Sequence, residues 1–162
     1  MDERRVALVT AASRGMGAAC ARELAAKGYA LGLLARSAAV EELASELGEF
    51  AVRGSVERAD DLEALVAAAL ERHGRFDAVV VNTGHAAKGE LLALTDEDWH
   101  RGLDLLLLPA IRLARFCVPA MLERGAGAFV NISSFAAVEP GLRFPASGAL
   151  RAALGSFAKR FA

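Results

Sequence analysis

The sequence is poor in the residues that build disulfide scaffolds and metal centres. It has two cysteines in 162 residues, Cys20 and Cys117, far apart and each in an apolar segment. A cystine framework or a thiolate metal site needs more cysteines at motif spacing. Both are therefore read as buried, reduced thiols, and no metal is expected. A charge imbalance is missing too. Lys plus Arg is 19 and Asp plus Glu is 20, for a net charge of −1 with no basic run. That removes the electrostatic case for nucleic acid or an anionic membrane surface. Long apolar runs are also lacking. Val6–Val9, behind the charged start Met1–Arg5, is too short for a secretory signal. Leu105–Ile111 is interrupted by Pro109 and falls far below the roughly 20 residues of a spanning helix. The expectation is a soluble protein of the reducing cytoplasm, with no membrane partner. There is one tyrosine, Tyr29, and three histidines, His73, His85 and His100, so side chains suited to proton transfer are few.

What is present is core-forming. The chain is 54% hydrophobic and 24% charged, at a length that suits one domain. Short apolar runs alternate with helical stretches. Strands are expected at Val6–Val9, Ala30–Ala35, Phe50–Val52, Ala78–Val81 and Ala128–Ile132. Helices are expected at Ala18–Lys27, Ala38–Leu47 and Asp60–His73, over a long stretch from Thr95 toward Glu123, and from Ala146 onward. Gly28 and Gly74 mark helix ends, and Thr95 before Asp96-Glu97-Asp98 fits an N-cap. Such alternation implies right-handed crossovers and a doubly wound parallel sheet with helices on both faces. The reading is an α/β, Rossmann-like fold of about five strands in the order 3-2-1-4-5, forming a single domain over residues 1–162. No repeat or linker appears.

The first strand runs directly into Thr10-Ala11-Ala12-Ser13-Arg14-Gly15-Met16-Gly17 and then a helix. Glycines in that context let backbone approach a pyrophosphate held at a helix N-terminus. With Val81-Asn82-Thr83-Gly84 after the fourth strand and Asn131-Ile132-Ser133-Ser134 closing the fifth, the chain resembles the short-chain dehydrogenase/reductase family along essentially its whole length. Trp99 in the long helix also fits. The family's first turn is Thr-Gly-x-x-x-Gly-x-Gly. Ala11 stands at its first glycine, a mild departure if the backbone angles there are ordinary. Val81 and Thr83 depart from the family's Asn-Asn-Ala-Gly.

The resemblance implies a nicotinamide cofactor. Its contacts map to Thr10, Ser13, Arg14, Gly15, Met16 and Gly17 of the turn, Arg36, Ser55 and Val56 after the second and third strands, and Asn82 and Gly84. Where NAD-dependent members carry an acid for the ribose hydroxyls, this chain has Ala35. Arg36 follows it and Arg14 lies in the turn. Guanidinium groups pair phosphate oxygens in a bidentate way, so NADP(H) is expected in preference to NAD(H). Ser55 stands at the family's adenine-contacting aspartate and can only accept or donate a neutral hydrogen bond.

The resemblance also implies carbonyl or alcohol hydride transfer on a small molecule, using a serine, a tyrosine, a lysine and an asparagine. The serine matches Ser134. The tyrosine position falls on Ser147, the lysine position on Arg151 and the asparagine position on Leu106. A serine hydroxyl is a far poorer acid than a phenol, which titrates near 10. Arginine does not exchange protons near neutral pH, and Leu106 cannot anchor a water. Loss of a positioned general acid costs about 10²–10⁴ in rate. His85, just after Asn82-Thr83-Gly84 at a strand's C-terminal end, is a candidate replacement; His73 and His100 are read as surface histidines. The chain is also expected to lack the family's C-terminal strands and substrate lid. That would leave the fifth strand as an exposed edge and Leu150, Leu154, Phe157 and Phe161 without a partner surface. Self-association as a homo-dimer or higher oligomer through the long helices follows. Two readings result: an NADP(H)-dependent oxidoreductase with weak or altered activity, and a non-catalytic nucleotide-binding or assembly subunit or a truncated remnant.

Overall fold

The computed structural model describes residues 4–161, without the side chain of Phe161. Five parallel strands, β1 (Val6–Thr10), β2 (Ala30–Ala35), β3 (Phe50–Arg53), β4 (Ala78–Val81) and β5 (Ala128–Asn131), form one sheet in the order β3-β2-β1-β4-β5. The expected order is therefore the observed one. One row of the sheet runs Ala51, Leu33, Val9, Val80, Val130 from edge to edge. Among the described residues six α-helices make the crossovers and flanks: α1 (Gly15–Ala26), α2 (Ala39–Leu47), α3 (Ala59–His73), α4 (Asp96–Leu106), α5 (Leu108–Glu123) and α6 (Pro145–Phe161).

The central strands are continuous apolar runs because both their faces are covered. Successive side chains point to opposite faces, and two core layers result. Leu8, Leu34, Val79 and Val81 pack with Leu62 and Leu65 of α3 and Leu113 and Cys117 of α5. Val9, Leu31, Leu33 and Val80 pack on the other face with Ala21 of α1 and Val40 and Leu43 of α2. Each fully buried aliphatic side chain contributes roughly 1.5–3 kcal/mol. Burial pushes the Cys117 thiol up to about 12, which keeps it protonated and inert. β5 is different: its residues alternate between exposed and half-buried, and Val130 is 50% exposed.

The expected single helix from Thr95 is two. Thr95 caps α4 in a capping box, accepting from the Asp98 N–H at 3.2 Å while its own N–H donates to the Asp98 carboxylate at 3.0 Å. The break falls at Leu107, because Pro109 lacks an N–H and its ring disfavours helical geometry in the residues before it. Taken together, Asp96–Glu123 is 28 residues long and, by length and composition, apolar enough to cross a membrane. The apolar residues of α5 are spent on the core, where Ala110, Leu113, Cys117 and Met121 are buried.

At the N-terminal edge of the sheet, the Asp77 carboxylate ties three segments. It accepts from the Val6 N–H at 2.8 Å, from Arg75 Nε at 3.0 Å and Nη2 at 2.7 Å, and from Arg124 Nη2 at 2.7 Å. Burial opposes its ionisation, but the Arg75, Val6 and Arg124 donors outweigh burial and hold it well below the usual carboxylate range.

Candidate functional site

The C-terminal edge of the sheet is where β1 and β4 part, their crossovers running to opposite sides. Ligands of such sheets bind at that switch point. The parting is pinned by a reciprocal pair. Thr10 Oγ1 donates to the Asn82 carbonyl at 2.7 Å and accepts from the Asn82 N–H at 3.0 Å. Asn82 Nδ2 then donates to the Ala11 carbonyl at 3.2 Å, fixing the turn that follows β1. Thr10 is fully buried, so it braces the site from beneath.

Two glycines shape the turn by different means. Gly15 has φ +57°, in open space. Gly17 has no room for a side chain: a Cβ there would lie 2.4 Å from the Ala11 carbonyl oxygen and 2.8 Å from Asn82 Nδ2. Ala11 departs from expectation. Its φ is +47°, in the left-handed region, so its backbone angles are not the ordinary ones an alanine prefers. Such a residue costs roughly 1–2 kcal/mol relative to a right-handed one. The family's glycine at this position would carry no such strain. α1 opens without a side-chain cap at Arg14 and without an acid in its first turn, so its leading N–H groups face the cleft unneutralised.

Two chambers meet over this turn. The larger, about 830 Å³, is lined by Ser13, Arg14, Gly15 and Met16, by Ala35 and Arg36 past β2, by Ser55 and Val56 past β3, and by Asn82 and Gly84 past β4. Of the sequence-derived cofactor positions, only Thr10 and Gly17 lie outside its lining. No carboxylate lines it, and Arg14 and Arg36 are exposed and form no ion pair among the described residues. Ser55 Oγ accepts from the Glu57 N–H at 3.2 Å, and the Ser55 N–H donates to Asp61 at 2.8 Å. The serine is thus built into a turn with its hydroxyl proton left over.

The smaller chamber, about 340 Å³, shares Met16, Asn82, Thr83 and His85 with the first and adds Lys88, Ser133, Ser134, Phe135, Phe144, Ser147 and Arg151. Ser134 Oγ accepts from the Ala136 N–H at 3.2 Å and caps a single 3₁₀ turn, Phe135–Ala137. Ser147 and Arg151 stand one helical turn apart on α6. Arg151 is 7% exposed; its Nη1 donates to the Ile132 carbonyl at 2.6 Å, and its Nε has no hydrogen-bond partner among the described residues. Burial lowers its pKa, yet a guanidinium stays charged. Leu106 is buried and lines neither chamber. His85 is exposed at the boundary between the chambers; His100 is exposed on α4 and lines neither. His73 is not a surface residue: it is half-buried, its ring 6.0 Å from that of Phe50. Tyr29 immediately precedes β2 at the opposite sheet edge, beneath the Arg5 guanidinium at 4.6 Å. Sequence reasoning did not single out Lys88 and Phe144. They come from two separate loops that the fold joins, with Lys88 Nζ 5.5 Å from the Phe144 ring and the Gly89 N–H donating to the Arg143 carbonyl at 3.3 Å.

Comparison with known proteins follows the same lines. The profile of the family described as short chain dehydrogenase matches residues 5–162. A 3-oxoacyl-[acyl-carrier-protein] reductase of Synechocystis is 37% identical, over 82% of this chain and 56% of the relative. A short-chain dehydrogenase from Streptomyces avermitilis superposes with a TM-score of 0.93 at 32% identity, covering 100% of this chain and 60% of the other. L-sorbose reductase from Gluconobacter frateurii, solved with NADPH and L-sorbose, gives a TM-score of 0.89 at 32% identity, over 97% and 62%. The chain thus spans roughly three-fifths of the length of these relatives.

Proposed function

Because this chain belongs to the short-chain dehydrogenase family, we propose that it is an NADP(H)-dependent oxidoreductase whose hydride transfer between carbonyl and alcohol is slow. The observation that carries the cofactor assignment is the larger chamber, with two unpaired guanidinium groups, an uncapped helix N-terminus and no carboxylate. The fit is steric as well. Gly15 leaves open space over the turn, and Gly17 lets α1 start against the Ala11 carbonyl. The related L-sorbose reductase holds NADPH, which supports the reading. Arg14 and Arg36 would take the 2′-phosphate, and the first turn of α1 the pyrophosphate. Asn82, pinned by Thr10 and lining both chambers, would contact the cofactor where the chambers meet.

NADP(H), when bound, supplies or accepts the hydride. The chain's own contribution is position and charge. The Ser134 oxygen accepts a backbone N–H, which leaves its own proton free to be donated to a carbonyl oxygen. Ser147 is too weak an acid to complete the transfer, and Arg151 orients without exchanging a proton. Water entering the smaller chamber, or His85 at the boundary, then carries the proton. The missing general acid sets the rate about 10²–10⁴ below one that has it.

A second reading, a non-catalytic nucleotide-binding or assembly subunit, is favoured by Leu106, Ser147 and Arg151 replacing three groups that move protons. Following NADPH oxidation over a panel of ketones and aldehydes separates the two. Slow, saturable oxidation lost in Ser134→Ala supports the enzyme; tight NADPH binding with no oxidation supports the subunit. We further propose that residues 1–162 form one dinucleotide-binding domain of a cytoplasmic protein. Its homo-dimer would form through α4, α5 and α6, close to the exposed β5 edge.

A further inference from the structure

One wall of the larger chamber is the loop between β3 and α3, which brings Gly54, Ser55 and Val56 to the lining. The near end of this loop is fixed locally. The Gly54 N–H donates to the Ala35 carbonyl at 3.0 Å, and the Ser55 N–H donates to the Asp61 carboxylate at 2.8 Å. A Cβ at Gly54 would lie 2.7 Å from the Asp61 side chain, so the two segments are in close contact. The far end is held from outside. Arg112, on α5, donates from Nη1 to the Glu57 carbonyl at 2.7 Å, across 55 residues of sequence. Val56 lies between these two anchors and is buried. The same guanidinium donates from Nη2 to Asp104 at 3.3 Å, and Asp104 directly precedes Leu105, which belongs to another wall of the chamber. Arg112 itself lines neither chamber. Its arrangement is not that of a simple ion pair, because the shorter bond goes to a neutral carbonyl of the loop. A charged donor makes such a bond roughly twice as strong as a neutral one.

We propose that Arg112 is a positioning residue for nucleotide binding: from α5 it clamps the loop after β3 and so presets the wall that Ser55 and Val56 give to the adenosine half of the dinucleotide. The role in binding rests on the cofactor reading above; the clamp itself does not. A wall already held in its bound shape removes the entropy cost of ordering it when the ligand arrives. With the Glu57 carbonyl released, the loop is tied at one end only. The nucleotide then binds only the fraction of molecules whose loop is in place, and its apparent affinity falls by that fraction.

The test compares Arg112→Met, which keeps most of the stem and removes both bonds, with Asp104→Ala, which removes only the ion pair. Amide hydrogen exchange of the chain without nucleotide reads the clamp. The Glu57 and Arg58 N–H groups donate to Ser55 Oγ and to the Ser55 carbonyl. In Arg112→Met they are expected to exchange about fivefold faster or more, with the Asn82 N–H unchanged. Calorimetric titration with NADPH and with adenosine 2′,5′-bisphosphate reads the consequence. Arg112→Met is expected to weaken both ligands by the same factor, about three- to tenfold, while Asp104→Ala changes them by less than about twofold. Arg112→Lys, which can still donate to the Glu57 carbonyl, is expected to recover part of the loss, and it decides if Arg112→Met does not fold. An arginine with a merely structural role would lower the urea midpoint without loosening this loop selectively. Unchanged exchange at Glu57 and Arg58, a loss seen with NADPH but not with the bisphosphate, or equal losses in Arg112→Met and Asp104→Ala would overturn the proposal. A folded native chain that binds neither ligand would overturn the cofactor reading and the binding role with it; native binding that Arg112→Met leaves intact would overturn this proposal alone.

Discussion

The two chambers share one wall, Met16, Asn82, Thr83 and His85, yet differ in what their other walls provide. The larger offers a glycine turn, an open helix start and two exposed guanidinium groups, the set that the proposed phosphorylated dinucleotide requires. In the smaller, Ser134 is placed and capped, and the positive charge at residue 151 remains, but the groups that would move a proton are a serine and a leucine. The difference teaches that binding and proton transfer are separable demands. Binding rests largely on backbone geometry and unpaired charge. Proton transfer rests on the titration of individual side chains.

The comparison breaks most sharply if the smaller chamber is given back an acid. Ser147→Tyr combined with Arg151→Lys is expected to raise NADPH oxidation by about 10²–10⁴ while NADPH affinity stays within a factor of about three. No gain in rate would place the deficit elsewhere.

A control lies at the opposite edge of the sheet. Asp77→Asn weakens its charged hydrogen bonds and is expected to cost about 1.5–3 kcal/mol at neutral pH, read as a fall in the urea midpoint, with both chambers keeping their ligands. The native Asp77 carboxyl is depressed, so its contribution is fully present above the ordinary aspartate value of 3.8 and is lost as pH falls below it. The gap between native and variant chains therefore narrows in acid; a gap that widens there would refute the assignment.

In the larger chamber, Arg36→Asp is expected to weaken NADPH at least tenfold, about 1.4 kcal/mol, with little loss of NADH. The smallest effect concerns the turn itself. Ala11→Gly relieves the left-handed strain but adds unfolded-chain entropy, for a net gain of about 0.5–1 kcal/mol. It is expected as a higher urea midpoint at unchanged slope.

Much of this architecture is legible in the sequence, because parallel strands buried on both faces read as short apolar runs and the glycine turn follows the first of them directly. The β2 and β4 boundaries, Ala30–Ala35 and Ala78–Val81, coincide with expectation. Features set by geometry rather than composition are not legible. The positive φ of Ala11 follows from where β1 must hand over to α1, and nothing in an alanine announces it. The break at Leu107 depends on Pro109 acting on its predecessors, which apolar periodicity conceals. Lys88 and Phe144 lie far apart in the chain and meet only because two loops join over the chamber. The lone burial of Arg151 needs the packing of α6 against β5's end to become visible.

The most direct test is a calorimetric titration of the folded native chain with NADPH and, in parallel, with NADH. The account predicts micromolar binding of NADPH and NADH at least tenfold weaker. Equal affinities, or no binding of either by a folded chain, would contradict it.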